Sequence, residues 1–122
     1  HLFPGTGEAS ETGVTGNVLN VPLGAGANGA IFLAAINEAI VPAIAAFRPD
    51  LLVLSAGFDA HYRDPLGDLN LVEGDYAVLT RALVDVADRV CGSRIVSLLE
   101  GGYDIDALGL SAAAHISALM GH

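Results

Sequence analysis

Residues 51–67 read Leu51-Leu-Val-Leu-Ser-Ala-Gly-Phe-Asp-Ala-His-Tyr-Arg-Asp-Pro-Leu-Gly67. The run Leu51–Ser55 is almost continuously apolar, the pattern of a strand covered on both faces. It opens into the loop Ala56–Leu71, rich in Gly, Asp and Pro, which are turn formers. Val72–Val90 then spaces Tyr76, Leu79, Leu83, Val86 and Val90 along one helical face. A second apolar run, Arg94–Leu99, reads as another strand. Glu100-Gly-Gly-Tyr103 makes a tight turn, and Asp104 or Asp106 can cap a last helix reaching Met120.

Toward the N-terminus, Asn28–Phe47 is a long helical pattern that Arg48-Pro49-Asp50 stops. Asn17–Leu23 is a short β-prone run, and residues 1–16, with Pro4 and four glycines, read as an irregular loop. The order strand–helix–strand–helix–strand–helix predicts an α/β fold: a parallel sheet with helices on both faces. Ligands of open α/β sheets gather beyond the carboxyl ends of the strands. Two loops leave strands there, one carrying Asp59 and the other Tyr103.

Composition narrows the function classes. The chain has 122 residues, enough for one small domain or a piece of a larger one. It is 52% hydrophobic with mean hydropathy +0.55, which speaks against disorder. A small domain buries a limited share of its surface, so part of this apolar surface is expected to meet a missing part of the same domain or another subunit. Net charge is −9, from fourteen acidic residues against five Arg and no Lys, so direct nucleic-acid binding is not expected. An acidic surface tolerates basic substrates such as lysine-rich peptides or polyamines, and equally serves solubility alone. The single cysteine, Cys91, supports neither a disulfide framework nor a cysteine zinc site, which fits a reducing cytoplasm. No signal peptide is expected at His1. Asn37, Glu38 and Pro42 interrupt the longest apolar stretch, Ala30–Phe47, so a buried helix is expected rather than a membrane span.

Three segments could carry chemistry. Asp59 at a strand end could ligate a divalent metal, with His61 two residues on, although such an Asp equally caps a helix or fixes a turn. In Leu99-Glu-Gly-Gly-Tyr103 the glycines Gly101 and Gly102 allow close backbone approach to a ligand. Tyr103 behind them could donate to a developing oxyanion or simply pack. Gly24-Ala-Gly-Ala-Asn-Gly29 matches G-x-G-x-x-G, a dinucleotide-loop pattern, but Asp50 and Asp59 are both misplaced as its acidic partner. A plain Gly-rich connection explains it as well. No G-x-S-x-G nucleophile elbow occurs, and His115 reads as packing or solvated.

Phe3-Pro-Gly-Thr-Gly7, Asn20-Val-Pro-Leu23, Ser55–Gly67 and Leu99–Tyr103, in this order and spacing, resemble the histone deacetylase and acetylpolyamine amidohydrolase superfamily in its class II and bacterial branch. The resemblance spans nearly the whole chain. It implies the C-terminal portion of an arginase/deacetylase-like fold over residues 1–122, without its N-terminal part. It implies Asp59 as a Zn2+ ligand in the complete enzyme and Tyr103 as the catalytic residue that stabilises the oxyanion. Phe3, Leu66, Gly101 and Gly102 then line the substrate channel, with Leu66 at the rim where polyamine-selective members carry an acidic residue. His61 lies outside the family's ligand set. The family's other two zinc ligands, an Asp-x-His, and its paired histidine bases precede the Pro-Gly-Thr-Gly loop and do not occur in these 122 residues.

The function so implied is zinc-dependent hydrolysis of an acetylated lysine peptide or related acetylated amine, with this chain inactive alone. Its partners would be that substrate and either a second copy, as a homo-oligomer, or the missing N-terminal half; neither nucleic acid nor membrane is expected. The rival readings are a non-catalytic, self-associating remnant and a dinucleotide-binding module.

Overall fold

The computed structural model describes residues 4–122. Its regular elements are α1 (Gly29–Ala35), a π-helical turn (Ile36–Ile40), α2 (Val41–Phe47), β1 (Leu52–Ala56), α3 (Glu73–Val90), β2 (Ile95–Leu99) and α4 (Ile105–Leu119). β1 and β2 pair in parallel, with Leu52 opposite Ile95 and Ala56 opposite Leu99. The class is α/β with a parallel sheet, as the strand–helix alternation predicts.

The expected strand at Asn17–Leu23 does not form. This segment has no ladder partner and lies as irregular chain beside α2, where Val18, Leu19, Ile44 and Phe47 line a groove of about 430 Å³. β-propensity supplies side chains that suit a sheet, but a strand exists only where an edge receives its backbone groups.

Local chemistry accounts for the helix boundaries. Asn28 caps α1, its side chain accepting from the Ile31 amide at 3.1 Å. Pro42 lacks an N–H, and the helix widens just before it, the Val41 amide reaching back to the Ile36 carbonyl. Arg48 ends α2 in the left-handed conformation (φ 53°) ahead of Pro49. At the start of α3 the Asp75 carboxylate accepts from the Val72 amide at 2.8 Å, half of a capping box, since valine has no side-chain acceptor to complete it. Of the two candidate caps for α4, Asp104 serves, accepting from the Ala107 amide at 2.8 Å.

Strand alternation divides the sheet into two unlike faces. Leu52, Leu54, Ala56, Ile95 and Ser97 point toward the helices and are partly buried. Val53, Val96 and Leu98 point the other way and are about half exposed, so the described residues leave that face uncovered. The core cluster on the covered side is Ile36, Phe58, Leu71, Tyr76 and Leu79. Total accessible surface is 7330 Å², against roughly 6,100 Å² expected of a folded monomer of this mass. The helix Gly29–Phe47 is long and apolar enough to cross a membrane by length and composition, and it is not the buried helix expected: one side packs on the core through Ile36 and the partly buried Phe32, Leu33, Ile40 and Val41, while most of the rest is open. Cys91 is buried at the end of α3.

His115, on α4, is buried and ties three elements together. Thr80 of α3 donates its hydroxyl to the Tyr76 carbonyl at 2.6 Å, which leaves its oxygen to accept from His115 Nδ1 at 2.7 Å. Nε2 then accepts from the Ser97 hydroxyl of β2 at 2.8 Å. This arrangement uses the neutral ring, and burial holds the His115 pKa below its ordinary value of 6.5. The unfolded chain takes up a proton there that the folded chain refuses. Stability from this group is therefore complete above the unfolded value and declines as pH falls below about 6.5. Thermal melts from pH 8 to 5 should show that decline, and His115→Gln should flatten it. A His115→Gln melt with an unchanged pH slope would refute the assignment.

Candidate active site at the strand ends

The parallel register delivers two loops to one place. Past Ala56 and Leu99 the pairing runs on, with the Glu100 amide donating to the Ala56 carbonyl at 3.0 Å and the Phe58 amide to the Gly101 carbonyl at 2.8 Å. Phe58 is buried edge-on against Tyr76 and His115, with ring centroids 5.1 and 5.6 Å away. The next residue, Asp59, thus leaves a fixed point beside the Gly-Gly turn.

Gly101 faces the Asp59 carboxylate directly. A Cβ placed on Gly101 would stand 2.5 Å from Asp59 Oδ2 and 3.3 Å from the Tyr103 hydroxyl oxygen. The carboxylate and the phenol therefore meet across a space that glycine keeps open. Gly102 completes the turn at φ 135°, a conformation that L side chains rarely adopt. Tyr103 itself is 53% exposed.

Asp64 was seen in the sequence only as part of a motif, and the structure gives it a larger part. It is buried, and both oxygens are engaged. Oδ1 accepts from the Leu66 and Gly67 amides at 2.8 and 3.0 Å, and Oδ2 crosses to the Tyr103 amide at 2.8 Å. Burial opposes its ionisation, but the amides of Tyr103, Leu66, Gly67 and Asp104 outweigh this and hold the carboxyl below its ordinary 3.8. Hydrogen bonds to a charged acceptor contribute roughly 1.5–3 kcal/mol each. The nearby pairs from Arg63 to Asp104 and Asp106, at 3.5 and 3.7 Å, are partly or fully exposed and contribute little by comparison.

The remaining candidates fall into place around this centre. Leu66 is exposed on the Asp59 loop, one residue from Gly67, which packs against the Asp59 carbonyl. Phe3 lies outside the described residues. His61 turns away from the Asp59 carboxylate: it is buried, its Nδ1 accepts from the Arg63 amide at 3.2 Å, and Nε2 donates to Glu73 at 3.1 Å. Among the described residues no three His, Cys, Asp or Glu side chains form a metal cluster. Asp59, part-buried beside Gly101, thus offers a metal a single carboxylate, which fits one ligand of a shared site.

Sequence reasoning passed over Tyr76 as a packing residue. Its hydroxyl is buried without a hydrogen bond of ordinary geometry. Burial first, and then the charges of Asp59, Asp64 and Asp75, raise its pKa and keep the phenol protonated.

The Gly24–Gly29 loop is a structural turn. Among the described residues no strand precedes it. Its Gly26 amide donates to the Asp68 carbonyl and its Ala27 carbonyl accepts from the Asn70 amide. The Asp75 carboxylate fills the space at Gly29, where a phosphate at the helix start would need to lie.

Gly67 gives a direct test of this geometry, because any Cβ there would overlap the Asp59 carbonyl oxygen. Gly67→Ala should destabilise the fold by about 1–3 kcal/mol, the usual cost of overpacking. Denaturant melts should show the midpoint falling; an unchanged midpoint would mean that Gly67 does not pack against the Asp59 carbonyl.

The same residues lie within a family match. The histone deacetylase domain family matches residues 1–119. The chain is 39% identical over 122 residues to "Histone deacetylase 14, chloroplastic" of Arabidopsis thaliana, covering 98% of this chain and 29% of that protein. It is 36% identical over 124 residues to a "Probable deacetylase" of Archaeoglobus fulgidus, covering 98% of this chain and 34% of that one. Among solved structures, the HDA15 HD domain superposes with a TM-score of 0.91 at 36% identity, over 99% of this chain and 34% of that chain. The histone deacetylase Clr3 gives 0.89 at 33% identity, over 98% and 20% respectively. The chain thus spans about a third of these proteins or less, and its two-stranded parallel unit is part of their arginase/deacetylase fold. With the family match running through both the Asp59 and the Tyr103 loops, the chain belongs to the histone deacetylase family.

Proposed function

We propose that these 122 residues form the C-terminal part of a zinc-dependent deacetylase acting on an acetylated lysine peptide or a related acetylated amine. The observation that carries this reading is the meeting of the Asp59 carboxylate and the Tyr103 hydroxyl across Gly101, at the carboxyl ends of paired strands. Asp59 would hold one side of a zinc ion. Zinc bound there would supply the Lewis acidity that polarises an amide carbonyl and acidifies water.

This chain's own residues then have distinct tasks. Tyr103 donates its O–H to the carbonyl oxygen as that oxygen gains negative charge. A donor aimed at developing charge stabilises the transition state more than the ground state. Gly101 lets the turn close onto the Asp59 carboxylate, and Gly102 lets it close onto Leu108 and Phe58, so the glycines bring Tyr103 up to the carboxylate. Exposed Leu66 offers an apolar edge to the aliphatic part of the substrate, and the −9 net charge favours approach of cationic ones. The lone buried Cys91 supports a reducing setting such as the cytoplasm.

The uncovered face of Val53, Val96 and Leu98 supports a further part of the same reading. The HDA15 HD domain superposes on 99% of this chain with about two-thirds of its own length left over. We assign the rest of a deacetylase domain as the layer that covers this face. The 122 residues alone then lack a complete ligand set and turn over no substrate. With their apolar face open and strand edges unpaired, they associate with one another.

In the complete domain, Tyr103→Phe should keep fold and metal while lowering kcat by about 10²–10³, the usual cost of losing one oxyanion donor. Asp59→Ala should strip the zinc, read by metal analysis of the purified protein. Full zinc occupancy without Asp59, or near-normal kcat without the phenol, would sink the respective assignment. For the 122-residue chain, light scattering should show concentration-dependent association. A clean monomer would count against the missing layer.

A further inference from the structure

We infer that Asp64 is the positioning residue for Tyr103, setting where the phenol hydroxyl stands relative to Asp59. The inference rests on the deacetylase reading above and deepens it.

The need for such a residue follows from exposure. Tyr103 is 53% exposed, so packing does not fix its ring. It follows Gly102, the most permissive residue type for backbone motion. The location of its hydroxyl must therefore be set largely through its own backbone. Two bonds from the Asp59 loop clamp that backbone, and on its far side the first turn of α4 holds the Asp104 carbonyl through the Leu108 amide at 2.8 Å. The Phe58 amide holds the Gly101 carbonyl at 2.8 Å, two residues before Tyr103. Asp64 Oδ2 holds the Tyr103 amide itself at 2.8 Å. These two anchors flank Asp59 in sequence, so the loop that presents the carboxylate also fixes the turn that presents the phenol.

Asp64 suits the task in three respects. It is nine-tenths buried, so water competes weakly for its oxygens. Oδ1 is held by the Leu66 and Gly67 amides, which orients the carboxylate before Oδ2 reaches across. Gly67 in turn packs on the Asp59 carbonyl, so the support of the Asp64 carboxylate and the backbone of Asp59 move as one unit. The Arg63 pairs with Asp104 and Asp106 join the same two loops but are too exposed to fix a position.

The test is a double-mutant cycle on kcat in the complete domain, with zinc content measured for every variant. Asp64→Asn keeps shape and one acceptor but cannot satisfy the Tyr103 amide and both loop amides together. It should lower kcat by about 10–100-fold, in line with the cost of misplacing a reacting group by an ångström or so. KM and zinc occupancy should stay near wild type. Because the effect is exerted through the phenol, Asp64→Asn should cost little more once Tyr103 is Phe. A kcat for Asp64→Asn close to wild type would overturn the inference, and so would a loss that multiplies in full on that of Tyr103→Phe. If Tyr103→Phe alone were fully active, the deacetylase role of Tyr103 would fail and this proposal with it. A slow Tyr103→Phe with independent losses would remove the Asp64 proposal only. Should Asp64→Asn not fold, hydrogen exchange in the unmodified 122-residue chain decides. A Tyr103 amide as protected as those of the β1–β2 ladder supports the anchor, and exchange at a free-loop rate overturns it.

Discussion

The parallel pairing of β1 with β2 is the constraint on which the site depends. Its register sets Ala56 beside Leu99, and the ladder continues past both strand ends through the Phe58–Gly101 bond. Parallel strands place both carboxyl ends on the same side, so Asp59 and Tyr103, 44 positions apart in the sequence, emerge next to each other. A one-residue slip would turn Asp59 toward the opposite face, because side chains alternate along a strand. Burial of one face prevents the slip. Phe58 is sealed against Tyr76 and His115, and His115 is bonded to Thr80 of α3 and Ser97 of β2.

Two kinds of interaction share the work around that pairing. Apolar packing on the covered face holds the helices and sets the register. Buried polar groups then fix positions that packing leaves loose. Asp64 and His115 illustrate the two ways of placing a titratable group in the interior. Asp64 is surrounded by amide donors that favour its charge, and His115 by hydroxyls arranged for a neutral ring. Among the described residues, Tyr76 and Ser111 carry buried hydroxyls without a hydrogen bond of ordinary geometry, and the Tyr76 phenol stays protonated beside the carboxylates.

The bare face of the sheet gives a physical reason for the chain's composition. A 122-residue chain that is 52% hydrophobic carries more apolar surface than its single helical layer covers. Val53 and Val96 lie directly opposite each other in the ladder, with Leu98 two residues on, as the strands of a sheet buried on both faces would place them. The helix Gly29–Phe47 repeats the pattern: one side packs, while Ile31 and Phe47 remain exposed.

Much of this was legible in the sequence because the signals are local. The helix Glu73–Val90 follows from its 3.6-residue apolar spacing, both strands from their apolar runs, and Arg48-Pro49 as a helix stop from backbone sterics. The ordered motifs around Asp59 and Tyr103 marked the family and the two loops. The strand expected at Asn17–Leu23 was not decidable this way, since pairing needs an edge that no local pattern reveals. Nor could the sequence choose between Asp104 and Asp106 as cap, or tell that Gly24–Gly29 is filled by Asp75 rather than open to a phosphate. The links from Asp64 to the Tyr103 amide and from His115 to Thr80 and Ser97 span 39, 35 and 18 residues. Residue type announces that Asp and His can accept or donate. Which amide or hydroxyl stands opposite is set only when the strands pair and the helices pack, because hydrogen bonding depends on distance and direction that distant segments acquire together.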